Sequence, residues 1–193
     1  MPPRSLLIAL LLMPLAATAL PVTVQLRAPS GQPVAGAAVA VELRGRGSRT
    51  SNAKAEIGQR DKQFTPQLLV VQTGTAVNFP NFDTVRHHVY SFSPIKVIDI
   101  KLYSGTPAEP VVFDKPGVAT LGCNIHDRMS AHVVVVDTPL FAITDGQGQA
   151  TFDLPPGGHT VKAWHAGQKS PTLQSLKLDV PAAGGAVVLT LAD

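Results

Sequence analysis

The stretch VATLGCNIHDRMSAHVVVV, residues 118–136, contains two predicted β-strands and the loop that joins them. The strands, Val118 to Gly122 and Ala131 to Val136, are short runs rich in apolar residues and bounded by glycine or polar residues. Similar short runs recur along the chain, and no window of about 11 residues or more has a convincing apolar period of 3.6. The sequence therefore predicts an all-β protein.

Further strands are predicted on both sides of this stretch, separated by turns that contain glycine, proline or aspartate. Short strands at such spacing are typical of a β-sandwich or barrel. Within the run Ile95 to Leu102 the apolar positions change parity, which predicts a β-bulge. Between residues 53 and 117 the predicted strands are Ala55 to Gln59, Leu68 to Val71, Thr75 to Phe79, His87 to Phe92, Ile95 to Leu102 and Val111 to Phe113.

The segment Asp137-Thr138-Pro139 is a predicted domain boundary, because proline cannot continue a central strand. Before the predicted strands of residues 53–117, the glycine-rich and arginine-rich residues 44–52 are a predicted linker or exposed loop. The tail, residues 138–193, would be marginal as an independent core. The remaining predicted strands are Val22 to Leu26, Val39 to Leu43, Phe141 to Ile143, Ala150 to Leu154, Thr160 to His165, Leu173 to Val180 and Ala186 to Leu191.

The composition restricts the classes of function that the chain can serve. Only 15% of its 193 residues are charged, and the formal net charge is +3. This excess is too small to predict a nucleic-acid-binding surface, so we expect no nucleic-acid partner. No segment after the N-terminus approaches the ~20 apolar residues that cross a bilayer, so we expect no stable membrane insertion of the mature chain.

Residues 1–19 have the pattern of an export signal. Arg4 supplies a positive charge, Leu6 to Leu15 form a short apolar run, and Ala17-Thr18-Ala19 is a small-residue cleavage site. We therefore expect a periplasmic or secreted protein whose mature chain begins at Leu20.

The chain has one cysteine, Cys123. In an oxidising compartment a single thiol is expected to be buried, joined to another chain or bound to a metal. Its neighbours favour a metal, because His126 and Met129 follow at intervals of three residues on one predicted loop. Two histidines, one cysteine and a weakly bound methionine form a ligand set that selects copper. The second histidine must be His87 or His88, whose side chains point to opposite faces of a strand.

Residues 53–137 resemble a cupredoxin, the blue-copper fold of plastocyanin, amicyanin and pseudoazurin. The segments that carry the resemblance are Phe64-Thr65-Pro66, Gly74 to Phe79 leading to Asn81, the downstream His87, and Cys123-x2-His126-x2-Met129. The resemblance implies a Greek-key β-sandwich that holds one copper ion, as Cu(I) or Cu(II), per chain. The ligands that it implies are His87, Cys123, His126 and Met129.

The choice of His87 follows from this resemblance, because the first histidine ligand of the family is commonly followed by asparagine and valine. Here His88 and Val89 follow it, so His88 takes the position of the asparagine. The segments NFDTVRHHVYSFS, residues 81–93, and LGCNIHDRM, residues 121–129, also resemble exported plastocyanin-like proteins that are often labelled methylamine-utilisation proteins.

The two ends of the chain together resemble a carboxypeptidase-regulatory, transthyretin-like domain. The resemblance rests on the hairpin Gly31 to Ala37 and on the turns at Thr144-Asp145 and Leu154 to Gly157. It implies a second, small β-sandwich in residues 138–193, which is discontinuous if residues 20–45 pair with it and the middle domain is an insertion. The alternative is that the N-terminal hairpin adds strands to the middle domain.

The predicted site favours an electron carrier over an enzyme. Four protein donors leave a metal no open position, whereas an enzyme needs one, or an acid and a base beside a cleft. We therefore expect an exported blue copper protein that carries single electrons between redox proteins. Such encounters are small and transient, and Arg86 and Arg128 near His126 would orient an acidic partner.

Other functions are also compatible with the sequence. A copper-binding module for storage, delivery or sensing would have the same ligands. A structural β-sandwich with Cys123 buried would bind no copper. This alternative stays open because single cysteines, histidines and methionines are more often packing or surface residues than metal ligands. A zinc hydrolase built on His87, Cys123 and His126 would need Met129 outside the ligand set and a bound water. A cysteine hydrolase lacks an evident oxyanion hole.

Overall fold

The computed structural model describes residues 19–47 and 50–192, so the predicted export signal lies outside the described residues apart from Ala19. In these two ranges the regular elements are all strands, which confirms the predicted all-β class, and no helix long and apolar enough to cross a membrane is present. The strands are β1 (Leu20–Arg27), β2 (Ala38–Glu42), β3 (Lys54–Glu56), β4 (Gly58–Arg60), β5 (Gln63–Thr65), β6 (Leu68–Gln72), β7 (Ala76–Asn78), β8 (His87–Ser93), β9 (Lys96–Tyr103), β10 (Val111–Val112), β11 (Gly117–Gly122), β12 (Ser130–Val136), β13 (Phe141–Ile143), β14 (Gln149–Leu154), β15 (Gly157–Trp164), β16 (Gln174–Val180) and β17 (Gly185–Thr190).

Strands β3 to β12 form a β-sandwich, which we call the larger sandwich. One layer is a five-stranded sheet in the order β6-β12-β11-β8-β9, and the other contains the sheets β10-β7-β3 and β4-β5. Alternate residues of each strand point into the space between the layers, as the period of two requires. The resulting core consists of Ile57, Phe64, Val71, Val77, Phe79, Val89, Ile98, Phe113, Ala119, Leu121, Cys123, Met129, Ala131, Val133 and Val135.

The N-terminal strands pair with strands of the tail and form a second sandwich, which we call the smaller sandwich. β1 lies between β14 and β17, so that Val24 is opposite Ala150 on one side and Val187 on the other. β2 lies between β13 and β15 in the four-stranded sheet β13-β2-β15-β16. The core between these two sheets consists of Val22, Val24, Leu26, Val34, Ala37, Val39, Val41, Ala150, Phe152, Leu154, Val161, Ala163, Leu178, Val180 and Leu191.

The two sandwiches are joined face to face by strands that are buried on both sides. The valines of β2 face the smaller core, while its alanines face the five-stranded sheet. On that sheet, alternate residues of β12 likewise face opposite ways, some toward Cys123 and others toward β2. The molecule is therefore a stack of β layers. The cluster between the sandwiches consists of Ala38, Ala40, Val70, Val118, Val134, Val136 and Trp164.

An irregular pairing of β8 with β9 positions the start of β8. His87 is opposite Tyr103 and Val89 is opposite Ile100, so a step of two residues in β8 spans three residues of β9. The irregularity therefore lies near the end of β9. It falls between Ile100 and Tyr103, at the end of the run Ile95 to Leu102 in which a bulge was predicted. Val97, in the same run, points outward and is 71% exposed.

Candidate metal centre

Cys123 directly follows β11 and lies at the edge of the larger core, where it is buried. Its Sγ atom is 3.9 Å from Nδ1 of His87 and 3.9 Å from Nδ1 of His126. These three residues form a group whose potential ligand atoms all lie within 4.8 Å of one another. Residues that are far apart in the sequence thus converge on one small volume.

His87 is the first residue of β8, and its side chain is fully buried. Its Nδ1 faces Cys123, and its Nε2 lies 2.7 Å from Oδ2 of Asp83. The strand start is beside the end of β11, since Tyr90 of β8 is opposite Gly122. Sheet pairing therefore brings His87 to the loop that contains Cys123.

His126 lies on the loop between β11 and β12 and is partly exposed. The backbone N–H of Met129 donates a hydrogen bond of 2.8 Å to the carbonyl of His126, which closes a tight turn. The imidazole ring of His126 meets that of His87 edge to face, with ring centroids 5.0 Å apart and an interplanar angle of 61°. Of the three grouped side chains, this one is the most accessible to solvent.

Met129 is buried, with an exposed fraction of 1%, and it packs in the same apolar cluster as Cys123. Both residues also line one surface pocket, together with Tyr90 and Asp127. Met129 is therefore a neighbour of the thiol. Its assignment as a fourth metal ligand stays a prediction.

His88 points away from Cys123. Its Nε2 lies 2.6 Å from Oδ1 of Asp99, and its ring packs against Tyr90 with centroids 5.7 Å apart. The alternation of side chains along a strand accounts for this placement. Of the two adjacent histidines, His87 is thus the one beside the thiol.

Asp83 is also part of the site, although it was not among the predicted ligands. Its carboxylate accepts hydrogen bonds from the backbone N–H of Asp61 (2.7 Å) and of Lys62 (2.9 Å), in addition to its contact with His87. Partial burial acts to raise the pKa of Asp83. The hydrogen bonds from Lys62, His87 and Asp61 outweigh that effect and hold the pKa below its usual range, so Asp83 is a carboxylate at neutral pH.

A buried polar network supports the loop that precedes His87. The side-chain amide of Asn81 donates to the carbonyls of Val85 (2.9 Å) and Tyr103 (3.0 Å). The hydroxyl of Tyr103 donates to the carbonyl of Phe79 (2.6 Å) and also contacts the side chain of Gln59. Burial is the main cause that raises the pKa of Tyr103 to about 12. These bonds fix the loop in one conformation.

The grouped donors have the chemistry and the spacing that a soft or borderline metal ion requires. They offer one thiolate and two imidazole nitrogens, with a thioether nearby. Metal bonds of about 2.0 Å to nitrogen and 2.3 Å to sulfur, as zinc makes, together span up to about 4.3 Å. One ion can therefore bridge each separation of 3.9 Å between Sγ and Nδ1.

Comparisons with known proteins find similarity only among solved structures. No family model and no curated protein sequence matches the chain. A purple cupredoxin from Nitrosopumilus maritimus is 24% identical, with 44% of this chain and 99% of that one covered and a TM-score of 0.37. The reduced Cu(I) form of an amicyanin mutant is 16% identical, with 51% and 98% covered and a TM-score of 0.40. A copper-containing nitrite reductase from Thermus scotoductus is 19% identical, with 51% and 25% covered and a TM-score of 0.40. At these scores the function has to be argued from the residues of the chain itself.

Proposed function

We propose that this chain is an exported type 1 copper protein that carries single electrons between redox partners. In this proposal His87, Cys123, His126 and Met129 hold one copper ion. The observation that carries it is the position of the buried Cys123 sulfur, 3.9 Å from one nitrogen of each of two histidines. The proposal includes export by residues 1–19, which have the composition of a signal segment.

The ligand types support copper over zinc. Thiolate and thioether sulfur together suit Cu(I), and imidazole suits both oxidation states. Copper, when bound, would supply one-electron exchange between Cu(I) and Cu(II). The protein's own contribution is burial: His87, Cys123 and Met129 have exposed fractions of 0%, 4% and 1%. Burial excludes water from these donors, which favours electron transfer over hydrolysis.

The surface near His126 suits a brief encounter with another protein. Ile125 beside it is exposed, as are Phe82 and Val85 on the loop before His87. The neighbouring arginines, Arg86 and Arg128, are exposed as well. Exposed apolar side chains with positive charges on the same two loops favour a partner with an acidic rim, and such redox contacts are small and transient.

We also propose that the chain has two domains, in which residues 53–137 form the copper domain. Residues 20–45 and 138–193 would form the other. Support comes from the strand pairings, since β1 and β2 pair with β13, β14, β15 and β17 of the tail. The copper domain would then be an insertion in the smaller sandwich.

The decisive experiment is to add Cu(II) to the purified mature chain and record the visible absorption of wild type, Cys123→Ser, His87→Gln and His88→Gln. We expect intense absorption in wild type and in His88→Gln, complete loss in Cys123→Ser and strong loss in His87→Gln. His88→Gln is the matched control, because it removes the adjacent imidazole that faces Asp99. An intense band that survives in Cys123→Ser would refute a Cu(II)–thiolate bond.

Voltammetry of the same copper-loaded protein separates an electron carrier from a storage or delivery module. A carrier gives a reversible one-electron couple and rapid self-exchange, because its ligands stay fixed in both oxidation states. A protein that binds copper but gives no reversible couple would support the storage or delivery function instead.

A further inference from the structure

We propose that Asp83 is a positioning residue of this centre, which orients His87, keeps its Nδ1 free for the metal and favours the oxidised ion. The inference rests on the proposed function for its metal, but not for its protein contacts. It also gives a role to the hairpin β4–β5, whose turn holds Asp83 in place.

The first step is the location of the proton on His87. Nε2 of His87 lies 2.7 Å from Oδ2 of Asp83. A carboxylate has no proton to donate, so the hydrogen bond requires the proton on Nε2 of the imidazole. In a neutral ring Nδ1 then has a free lone pair, and Nδ1 is the atom that lies 3.9 Å from Sγ of Cys123. Asp83 therefore selects the tautomer that can bind a metal there.

The second step is the rigidity of Asp83 itself. Its Oδ1 accepts from the N–H of Asp61 at 2.7 Å, and its Oδ2 accepts from the N–H of Lys62 at 2.9 Å. Its own N–H donates to Oδ1 of Asn81 at 2.9 Å. With these bonds on both oxygens and on the backbone, the carboxylate has little freedom to turn away from His87.

The donors to Asp83 come from an unusual turn. Asp61 and Lys62 join β4 to β5 with φ angles of 52° and 58°, and Arg60 is opposite Gln63 across the turn. Two residues with positive φ are the signature of a tight hairpin turn that matches the twist of its strands. Both N–H groups of this turn point to one carboxylate. The two-stranded sheet thus acts as a support for His87 through Asp83.

The third step is electrostatic. A negative charge hydrogen-bonded to a ligand stabilises the higher oxidation state of the metal more than the lower one, and it makes the imidazole a stronger donor. Removal of the charge is therefore expected to weaken Cu(II) binding more than Cu(I) binding. The reduction potential then rises.

The chain contains a matched control for this role. His88 Nε2 lies 2.6 Å from Oδ1 of Asp99, so the adjacent residue has the same kind of histidine–carboxylate pair. The Asp99 side chain is 52% exposed, against 15% for Asp83, and it also pairs with Lys101. Because His88 points away from Cys123, Asp99→Asn removes an equivalent hydrogen bond without contact to the centre.

The first test uses the metal-free protein, so it does not depend on copper. Long-range ¹H–¹⁵N NMR at about pH 8, where an ordinary histidine is neutral, assigns the tautomer of each histidine ring. We expect His87 of the wild type to carry its proton on Nε2, and the population with a proton on Nδ1 to increase in Asp83→Asn. A wild-type His87 with its proton on Nδ1 overturns the proposal without recourse to any variant.

The second test compares affinities for Cu(I) and Cu(II), each measured by competition with chelators, for wild type, Asp83→Asn, Asp83→Glu and Asp99→Asn. In Asp83→Asn we expect the ratio of Cu(II) to Cu(I) affinity to fall about tenfold. That fall corresponds to a rise of about 59 mV in the potential. Asp83→Glu keeps the charge and is expected to restore part of the ratio, while Asp99→Asn leaves it within about twofold of wild type.

The outcomes separate this inference from the proposed function. If wild type binds no copper, the proposed function fails, while the NMR result still decides whether Asp83 selects the tautomer of His87. If copper binds and Asp83→Asn changes the affinity ratio no more than Asp99→Asn does, the metal-directed role of Asp83 is wrong.

Discussion

The two sandwiches of this chain have similar strands but different cores. The core of the smaller sandwich contains only alanine, valine, leucine and phenylalanine. The core of the larger sandwich contains Cys123 and Met129, and it borders the buried polar side chains of Gln59, Asn81 and His87. Buried polar groups lower stability unless they are hydrogen-bonded, so the larger sandwich combines its candidate site with a dense polar network. The smaller sandwich borders the buried hydroxyls of Thr138 and Thr144, which donate to the backbone carbonyls of Val41 and Val34, and no candidate metal ligand lies among its described core residues.

This difference predicts that equal cavities have unequal consequences for the site. Leu26 in the smaller core and Leu121 in the larger core have exposed fractions of 0% and 1%. Leu26→Ala and Leu121→Ala are each expected to lower the free energy of unfolding by about 2–5 kcal/mol, as measured by urea denaturation of the metal-free protein. Only Leu121→Ala, two residues before Cys123, is expected to alter the visible spectrum of the copper-loaded protein.

A visible spectrum that changes equally in the two leucine variants would contradict this predicted difference between the cores. Such a result would mean that the smaller sandwich shapes the site through the cluster that contains Trp164. Val24→Ala truncates another fully buried side chain of the smaller core. It provides a second measurement of how a cavity in that core affects the visible spectrum.

A smaller effect is expected at Gly122, which precedes Cys123 and packs closely against Tyr90. A Cβ atom at Gly122 would lie 2.6 Å from Cζ of Tyr90, a distance that side chains do not tolerate. Gly122→Ala is expected to cost about 1–3 kcal/mol in urea denaturation, because the Tyr90 ring must move. In a Tyr90→Ala background the cost should largely disappear. Gly146→Ala in the tail is the control, since no atom lies within 4 Å of its Cβ position.

The smallest effect concerns the junction between the sandwiches. Burial lowers the pKa of His132, whose ring packs against Trp164 and whose Nδ1 lies 3.2 Å from the hydroxyl oxygen of Thr120. The unfolded state therefore binds a proton more readily than the folded state. Stability is fully present above the unfolded pKa of about 6.5 and is lost as the pH falls below it.

The measurement is the urea midpoint between about pH 8 and pH 5.5 for wild type and His132→Gln. We expect a shallower pH dependence in the variant. Some dependence should persist, because burial also lowers the pKa of His165. The carboxylates with lowered pKa values, Asp83, Asp99 and Asp114, titrate below this range. An unchanged pH dependence in His132→Gln would exclude a contribution from this junction.

Features determined by local sequence could be predicted well. The spacing of Cys123 and His126 indicated that their side chains lie together, as they do, and most strand positions follow from alternation. Met129 as a further ligand stays a prediction. Local turn chemistry was less reliable. Strand β15 begins at Gly157, the last residue of the predicted turn Leu154 to Gly157, and the short strand β5 was not predicted. Both belong to hairpins whose extent depends on pairing partners.

Features determined by tertiary contacts could not be predicted. Asp83 lies in a polar segment before His87, where aspartate is ordinary turn chemistry. Its function depends on the turn at Asp61 and Lys62, which reaches it only after β4 and β5 fold against the loop. The interval of four residues between Asp83 and His87 was the only available signal, and it is weak without knowledge of the backbone.

Side-chain size along β2 has a consequence for how the chain finds its register. Ala38 and Ala40 allow close approach of the neighbouring layer, while Val39 and Val41 fill the space on the other side. A slip by one residue would force valine into the narrow gap and leave voids where valine had been. Mispaired forms of this strand would therefore be penalised at both surfaces at once. The alternation of small and large residues along β2 therefore favours a single register of this strand.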